Sequence, residues 1–212
     1  MPEQKKQTTA DVKSPGKKEP LKISCSNHDC ERELHCYSRT IRGAPKVAKG
    51  ACKACGAETV DWKRVRRRAL NDVSFTFDAL KHEWIRHHFF HAQFDEVALR
   101  RAHKKGRIAV LASAEKIVRQ RVGAEKPYRD GMQTPFGSDV MNYALHATAG
   151  CCRKCVEVWH GIPQGQALTD AEVAYLASLV RLFLEERLAE VNELPPAKPQ
   201  RTARKKNDKK LH

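Results

Sequence analysis

Cysteine and histidine side chains gather at two places in this sequence. The first is Cys25-x4-Cys30 with Cys52-x2-Cys55; the second is His146-x4-Cys151-Cys152-x2-Cys155-x4-His160. Together they hold seven of the eight cysteines. Thiolates and imidazoles at such short spacing suit a borderline-soft tetrahedral ion, because a two-residue knuckle lets one turn present two sulfurs to one metal. Zinc, as one ion or two, is the cofactor this chemistry predicts. In the first group the expected ligands are Cys25, Cys30, Cys52 and Cys55, with His28 as an alternative to Cys30 as the partner of Cys25. In the second they are His146, Cys152, Cys155 and His160. On a helix Cys152 and Cys155 lie about 60° apart, while Cys151 and Cys155, four residues apart, would serve equally well; spacing leaves both pairings open. A closed structural site is the favoured reading. A catalytic alternative pairs a cysteine thiolate with His160, or leaves an open position for water with Glu157 as base.

The elements that must position these groups differ between the two halves. Residues 21–62 are too few to fold on a hydrophobic core, so metal binding is expected to supply the missing free energy. Residues 33–41 alternate enough to be a strand, Gly56 suits a tight knuckle, and Cys36 within the strand reads as a small buried hydrophobe. CSNHDC, then CKACG, then Val60-Asp61-Trp62 resembles a zinc ribbon. Residues 71–126 read as helical. Phe77, Leu80, Trp84, His87 and His91 form one face, widened by Ile85 and Phe89. His82, His87, His88 and His91 are read as surface or half-buried helix residues more readily than as ligands. Ser113 is expected to cap a helix over 114–122. A short helix over 151–160 should stop at Gly161 and Pro163. A longer helix over 170–191 carries a capping box, Thr169 with Glu172, and an apolar stripe of Val173, Leu176, Val180, Phe183, Leu184, Leu188 and Val191. The stripe reads first as core and second as a homodimer interface. The expected class is mainly α, a small N-terminal β zinc ribbon joined to a helical domain with a Cys/His metal cluster.

Charge points to a class of partner. The chain has 40 Lys and Arg against 25 Asp and Glu, a formal charge of +15. Residues 1–20 contribute +2 and residues 193–212 contribute +5, leaving +8 in between. The segments 1–20 and 193–212 lack the apolar residues that offset ordering entropy and are expected to be disordered basic tails. Lys63, Arg64, Arg66, Arg67 and Arg68, in a linker over 63–74, form a basic run that could grip phosphates in a salt-sensitive way. Residues 100–107 form a second basic block. Nucleic acid, DNA or RNA, is therefore the expected partner; a membrane is not. No apolar run approaches a membrane span, and residues 1–20 carry no hydrophobic segment of the kind a secretory signal needs. A cytoplasmic, reducing setting also favours metal binding over disulfides for the Cys-x2-Cys pairs.

The run DGMQTP followed by HATAGCCRKCVEVWHGIPQGQALT resembles a small bacterial family known as a domain of unknown function, whose hallmark is HATxxCCRxCxxxWHxIPxG. The resemblance covers about residues 75–190. It implies that His146, Cys151, Cys152, Arg153, Cys155, Trp159 and His160 belong to the shared motif, and it brings no established activity. Residues 136–145 depart from the family's usual loop, which holds an additional histidine; an activity using that histidine would be missing here. The resemblance also implies that the N-terminal ribbon is an accessory of some members. The function expected from these features is non-catalytic nucleic-acid binding by a zinc protein. The alternatives are a zinc-dependent hydrolase or nuclease built on the second cluster, and an adaptor whose ribbon binds a protein partner.

Overall fold

The computed structural model describes residues 23–38, 43, 46–128, 132 and 134–196. The basic tail expected over 1–20, and the part of the second tail beyond residue 196, lie outside the described residues. Helix α1 (Trp62–Val65) starts where the Asp61 carboxylate accepts the Arg64 N–H at 3.0 Å. Helices α2 (Val73–Leu80) and α3 (Trp84–His91) replace the single long helix face expected through this stretch. The chain breaks between them because Glu83 is extended and turns its carboxylate into the core. Phe77, Leu80, Ile85 and Phe89 are buried as expected, whereas Trp84 and His87 are half-buried and His91 is exposed.

Helix α4 (Glu96–Lys105) is capped by the Asp95 carboxylate, which accepts from the Ala98 N–H. It is followed by α5 (Arg107–Ala112) and α6 (Ala114–Val118), and α6 runs on into one π-helical turn, Arg119–Gly123. Ser113 does not cap α6. Its own backbone is helical, and its hydroxyl donates to the Val110 carbonyl while accepting from Lys105 Nζ. Helices α7 (Val140–Ala147) and α8 (Arg153–His160) carry the second Cys/His group, and α8 stops at Gly161, whose φ of 65° places it in the left-handed region. Helix α9 (Asp170–Arg187) has the expected capping box, with both Thr169 and Glu172 bonds formed, and ends four residues earlier than the stripe predicts.

Helix α9 is the centre of the helical part, packed on α2, α6 and α7, while α3 packs on α7. Every residue of its apolar stripe, from Val173 to Val191, is buried within the chain itself. Among the described residues no helix is long and apolar enough to cross a membrane.

The β part of the expected ribbon is absent from the described residues, where only two isolated bridges occur, Asp29 with Leu34 and His35 with Glu83. The reason lies in where the backbone groups go. His35 N–H donates to the His82 carbonyl at 2.8 Å, and Trp84 N–H donates to the His35 carbonyl at 2.9 Å. The turn between α2 and α3 thus satisfies the groups that a partner strand would otherwise pair.

Candidate metal centres and the adjoining cleft

Cys30, His35, Cys52 and Cys55 bring their ligand atoms within 4.8 Å of one another, and this group can hold a metal ion. Cys30 opens a 3-10 turn that Glu33 closes in the left-handed conformation, and the Asp29–Leu34 bridge folds the chain back so that His35 returns beside Cys30. Cys52 and Cys55 come from a knuckle in which Gly56 N–H donates to the Cys52 carbonyl at 2.9 Å. Cys30 Sγ lies 3.8 Å from Cys52 Sγ, and Cys55 Sγ lies 3.6 Å from His35 Nδ1. An ion bonded at about 2.3 Å to sulfur and about 2.05 Å to imidazole has tetrahedral edges of about 3.8 and 3.6 Å. These two distances match edges of a tetrahedron around one ion. His35 Nε2 faces the Glu33 carboxylate at 3.4 Å, so the imidazole is oriented by a carboxylate as metal-bound histidines commonly are.

The thiols at this centre are electrostatically unequal. Burial and the neighbouring Cys55 and Cys52 thiols push the Cys30 pKa up to about 12. Burial also opposes ionisation of Cys52, but N–H groups of Cys36, Cys55 and Ala54 aimed at its sulfur, together with His35, bring it down to about 6. A cation would favour thiolate at every position and release protons on binding.

Cys151, Cys152 and Cys155 form the second group that can hold a metal, again with ligand atoms within 4.8 Å of one another. Cys152 sits extended at the N-cap of α8 and Cys155 in its first turn, so that the bend at Cys151 and the start of the helix bring three sulfurs together. Arg86, 0% exposed, lies against them, with Nη2 at 3.2 Å from Cys155 Sγ and Nη1 at 3.7 Å from Cys151 Sγ. Its Nε donates to the equally buried Glu83 carboxylate at 2.9 Å. Glu83 in turn accepts from Trp159 Nε1 at 2.6 Å and Ser38 Oγ at 2.5 Å. Burial opposes the Arg86 charge, but Cys155, Glu83, Cys151 and Cys25 hold its pKa well above normal. The Cys151 hydrogen bond favours ionisation of Cys155, yet contacts with the Cys152 and Cys25 thiols and burial outweigh it and push that pKa up.

Several expected ligands are placed elsewhere. Cys25 is not in the first group; His35 takes its place. His28, the alternative, is exposed and its Nδ1 faces the Ser26 carbonyl. His146 and His160 are not in the second group. His146 Nε2 donates to the Thr134 carbonyl at 2.7 Å, and its ring stacks on Phe89. His160 Nε2 donates to the Thr148 carbonyl at 3.1 Å, while Nδ1 meets the Tyr175 hydroxyl. Both imidazoles tie loop carbonyls to helices, a requirement of burying those carbonyls. Cys36 is fully buried, as expected of a small apolar side chain, and its Sγ donates to the Cys25 carbonyl at 3.2 Å. Sequence reasoning missed His35, Arg86 and Glu83. The Cys30-x4-His35 spacing, which repeats Cys25-x4-Cys30, is a signal for the first; nothing local marks the other two.

The basic run is only partly available to a ligand. Arg64 makes a two-pronged pair with Asp72 at 2.7 and 2.6 Å and lies over the Phe75 ring. Arg66 covers one side of Trp62 and reaches the Val158 carbonyl, and Arg68 donates to the His160 carbonyl. Lys63 and Arg67 are exposed. Arg66 also borders a cleft of about 520 Å³ beside both metal groups, lined by Tyr37, Lys49, Lys53, Trp62, Lys154 and Glu157 among others. Lys49, Lys53 and Lys154 make no ion pair among the described residues. One wall depends on Gly50: Trp62 Nε1 donates to its carbonyl at 2.7 Å, and a Cβ there would lie 2.6 Å from that nitrogen.

A mainly helical core carries three clustered cysteines on the loop and first turn of α8, and this group and the Cys30–His35–Cys52–Cys55 group could each hold a metal ion. Residues 74–185 match the family described as Domain of unknown function (DUF4186), and the chain belongs to that family. The match runs from α2 to near the end of α9 and includes Glu83, Arg86 and the three cysteines; the first metal group and Cys25 precede it. No solved structure matches the chain significantly.

Proposed function

We propose that the chain is a zinc protein that binds nucleic acid without catalysis, using the cleft between the Cys52–Cys55 knuckle and α8. The cleft is the observation that carries the reading. Four cations, Lys49, Lys53, Arg66 and Lys154, border it against one carboxylate, Glu157, while Tyr37 and Trp62 supply flat apolar surface. That combination suits a nucleotide unit, with phosphate met by the cations and the base by aromatic surface. Zinc fits both donor sets, which are rich in thiolate, and the tetrahedral spacing at the first. Its role is structural. It ties Cys30 and His35 to the Cys52–Cys55 knuckle and so fixes the cleft wall that carries Lys49 and Lys53. A hydrolase would need a ligand position open to water, whereas Cys151 and Cys155 are buried and covered by Arg86.

The test is fluorescence anisotropy of short single-stranded DNA and RNA with the full chain over a range of salt. Replacing Lys49, Lys53 and Lys154 together by Gln should weaken binding about tenfold and reduce the slope of log affinity against log salt by about 2. Unchanged affinity and slope would remove the cleft from the account. Metal-dependent cleavage of the oligonucleotide by the unsubstituted chain would replace the binding reading with the hydrolase.

A further inference from the structure

Three cysteines leave one vertex of a tetrahedron unassigned. We infer that Cys25 fills it, so that the second centre is an all-thiolate site for one ion, ligated by Cys25, Cys151, Cys152 and Cys155. The inference rests on reading the three cysteines as a metal site, and it is independent of nucleic-acid binding.

Position is the first argument. Cys25 is buried in the same core as Cys151 and Cys155, and its thiol acts on both the Cys155 thiol and Arg86, although it stands outside the 4.8 Å spacing that the other three share, a gap that the Cys25 side chain would close on loading. Its main chain is held in place, with the Cys25 carbonyl accepting from Cys36 Sγ at 3.2 Å and Asn27 N–H closing a turn on the Ser24 carbonyl at 3.1 Å. Elimination is the second. The first centre already has a full set of four donors without Cys25. The two histidines nearest in sequence to the cluster, His146 and His160, lie outside its 4.8 Å spacing, and His160 has both ring nitrogens engaged, by the Thr148 carbonyl and the Tyr175 hydroxyl.

Charge is the third argument. A dication with four thiolates carries a net charge of −2, which is costly to bury alone. Arg86 stands beside Cys151 and Cys155 with two nitrogens aimed at their sulfurs, so the cationic end of the Arg86–Glu83 pair faces that charge. On loading, the four thiols would give up four protons to solvent. The close packing of Cys151, Cys152 and Cys155, all within 4.8 Å, is the spacing of ligands sharing one ion. The consequence is architectural. Cys25 precedes the family-matched stretch at 74–185, so the ion would fasten the N-terminal segment directly to α8 of the helical domain.

Cadmium NMR of the full chain loaded with isotopically enriched cadmium tests the inference, since each added sulfur ligand moves the resonance downfield. Two resonances are expected, one in the four-sulfur range and one in the three-sulfur, one-nitrogen range. Cys25→Ser should move the four-sulfur resonance upfield and leave the other in place. Absence of a four-sulfur resonance from the unsubstituted chain would overturn the inference even if the variant failed to fold. Movement of the other resonance in Cys25→Ser would also overturn it, assigning Cys25 to the first centre. A single resonance, lost on His35→Ala, would show that the three cysteines bind no ion and would overturn the metal reading beneath the inference.

Discussion

Arg86 Nη2 donates to Cys155 Sγ across 3.2 Å in the fully buried junction between α3 and α8. The same guanidinium donates to Glu83 and to the His146 carbonyl. Glu83 in turn receives Trp159 and Ser38, so one buried ion pair joins the second metal group, the helical core and the N-terminal segment.

Removing one member of this pair should be far worse than removing both. Arg86→Met leaves the Glu83 carboxylate buried without its cation and should cost about 3–5 kcal/mol in denaturant unfolding. In Glu83→Gln with Arg86→Met, the loss should be smaller than in Arg86→Met alone. Additive losses in this double-mutant cycle would show that the two residues act separately.

Histidine protonation should set an acid limit. Burial, aided by the Arg86 charge and resisted by bonds to loop carbonyls, brings both His146 and His160 down to about 4. Unfolded histidine titrates near 6.5, so between about pH 6.5 and 4 the unfolded chain binds protons that the folded chain refuses. Stability should therefore be full above about 6.5 and fall as pH drops towards 4. Imidazole NMR signals of these two residues should stay neutral at about pH 5. Signals that all titrate near 6.5 would contradict the burial seen here.

His35, and not His28, should be needed for the first centre. His35→Ala should reduce bound zinc by one ion per chain in native mass spectrometry, while His28→Ala should leave it unchanged. The reverse result would favour the alternative in which His28 replaces Cys30 as the partner of Cys25.

Features governed by near neighbours were legible in the sequence. The Thr169–Glu172 box, the end of α8 at Gly161 and the Cys52–Cys55 knuckle each depend on a few adjacent residues. What was not legible depends on tertiary packing. Glu83 interrupts an apolar helix face because Arg86 and the distant Ser38 and Trp159 donate to its buried carboxylate, and no periodicity announces that. Cys25 lies near Cys30 in sequence, yet it is His35, brought back by the Asp29–Leu34 bridge, that joins Cys30, Cys52 and Cys55. His146 and His160 have the spacing of ligands, but their loops supply buried carbonyls that need donors. Arg64 and Arg68 sit in a run that reads as a phosphate grip, and the fold uses them to hold Asp72 and the end of α8.

The two donor sets call for two ions in one chain. Native mass spectrometry of the full chain, purified with zinc and without chelator, tests it most directly. The account predicts two zinc ions per chain, falling to one in Cys30→Ser and to one in Cys151→Ser with Cys155→Ser. A chain that binds a single ion, or none, in zinc-replete conditions would contradict it.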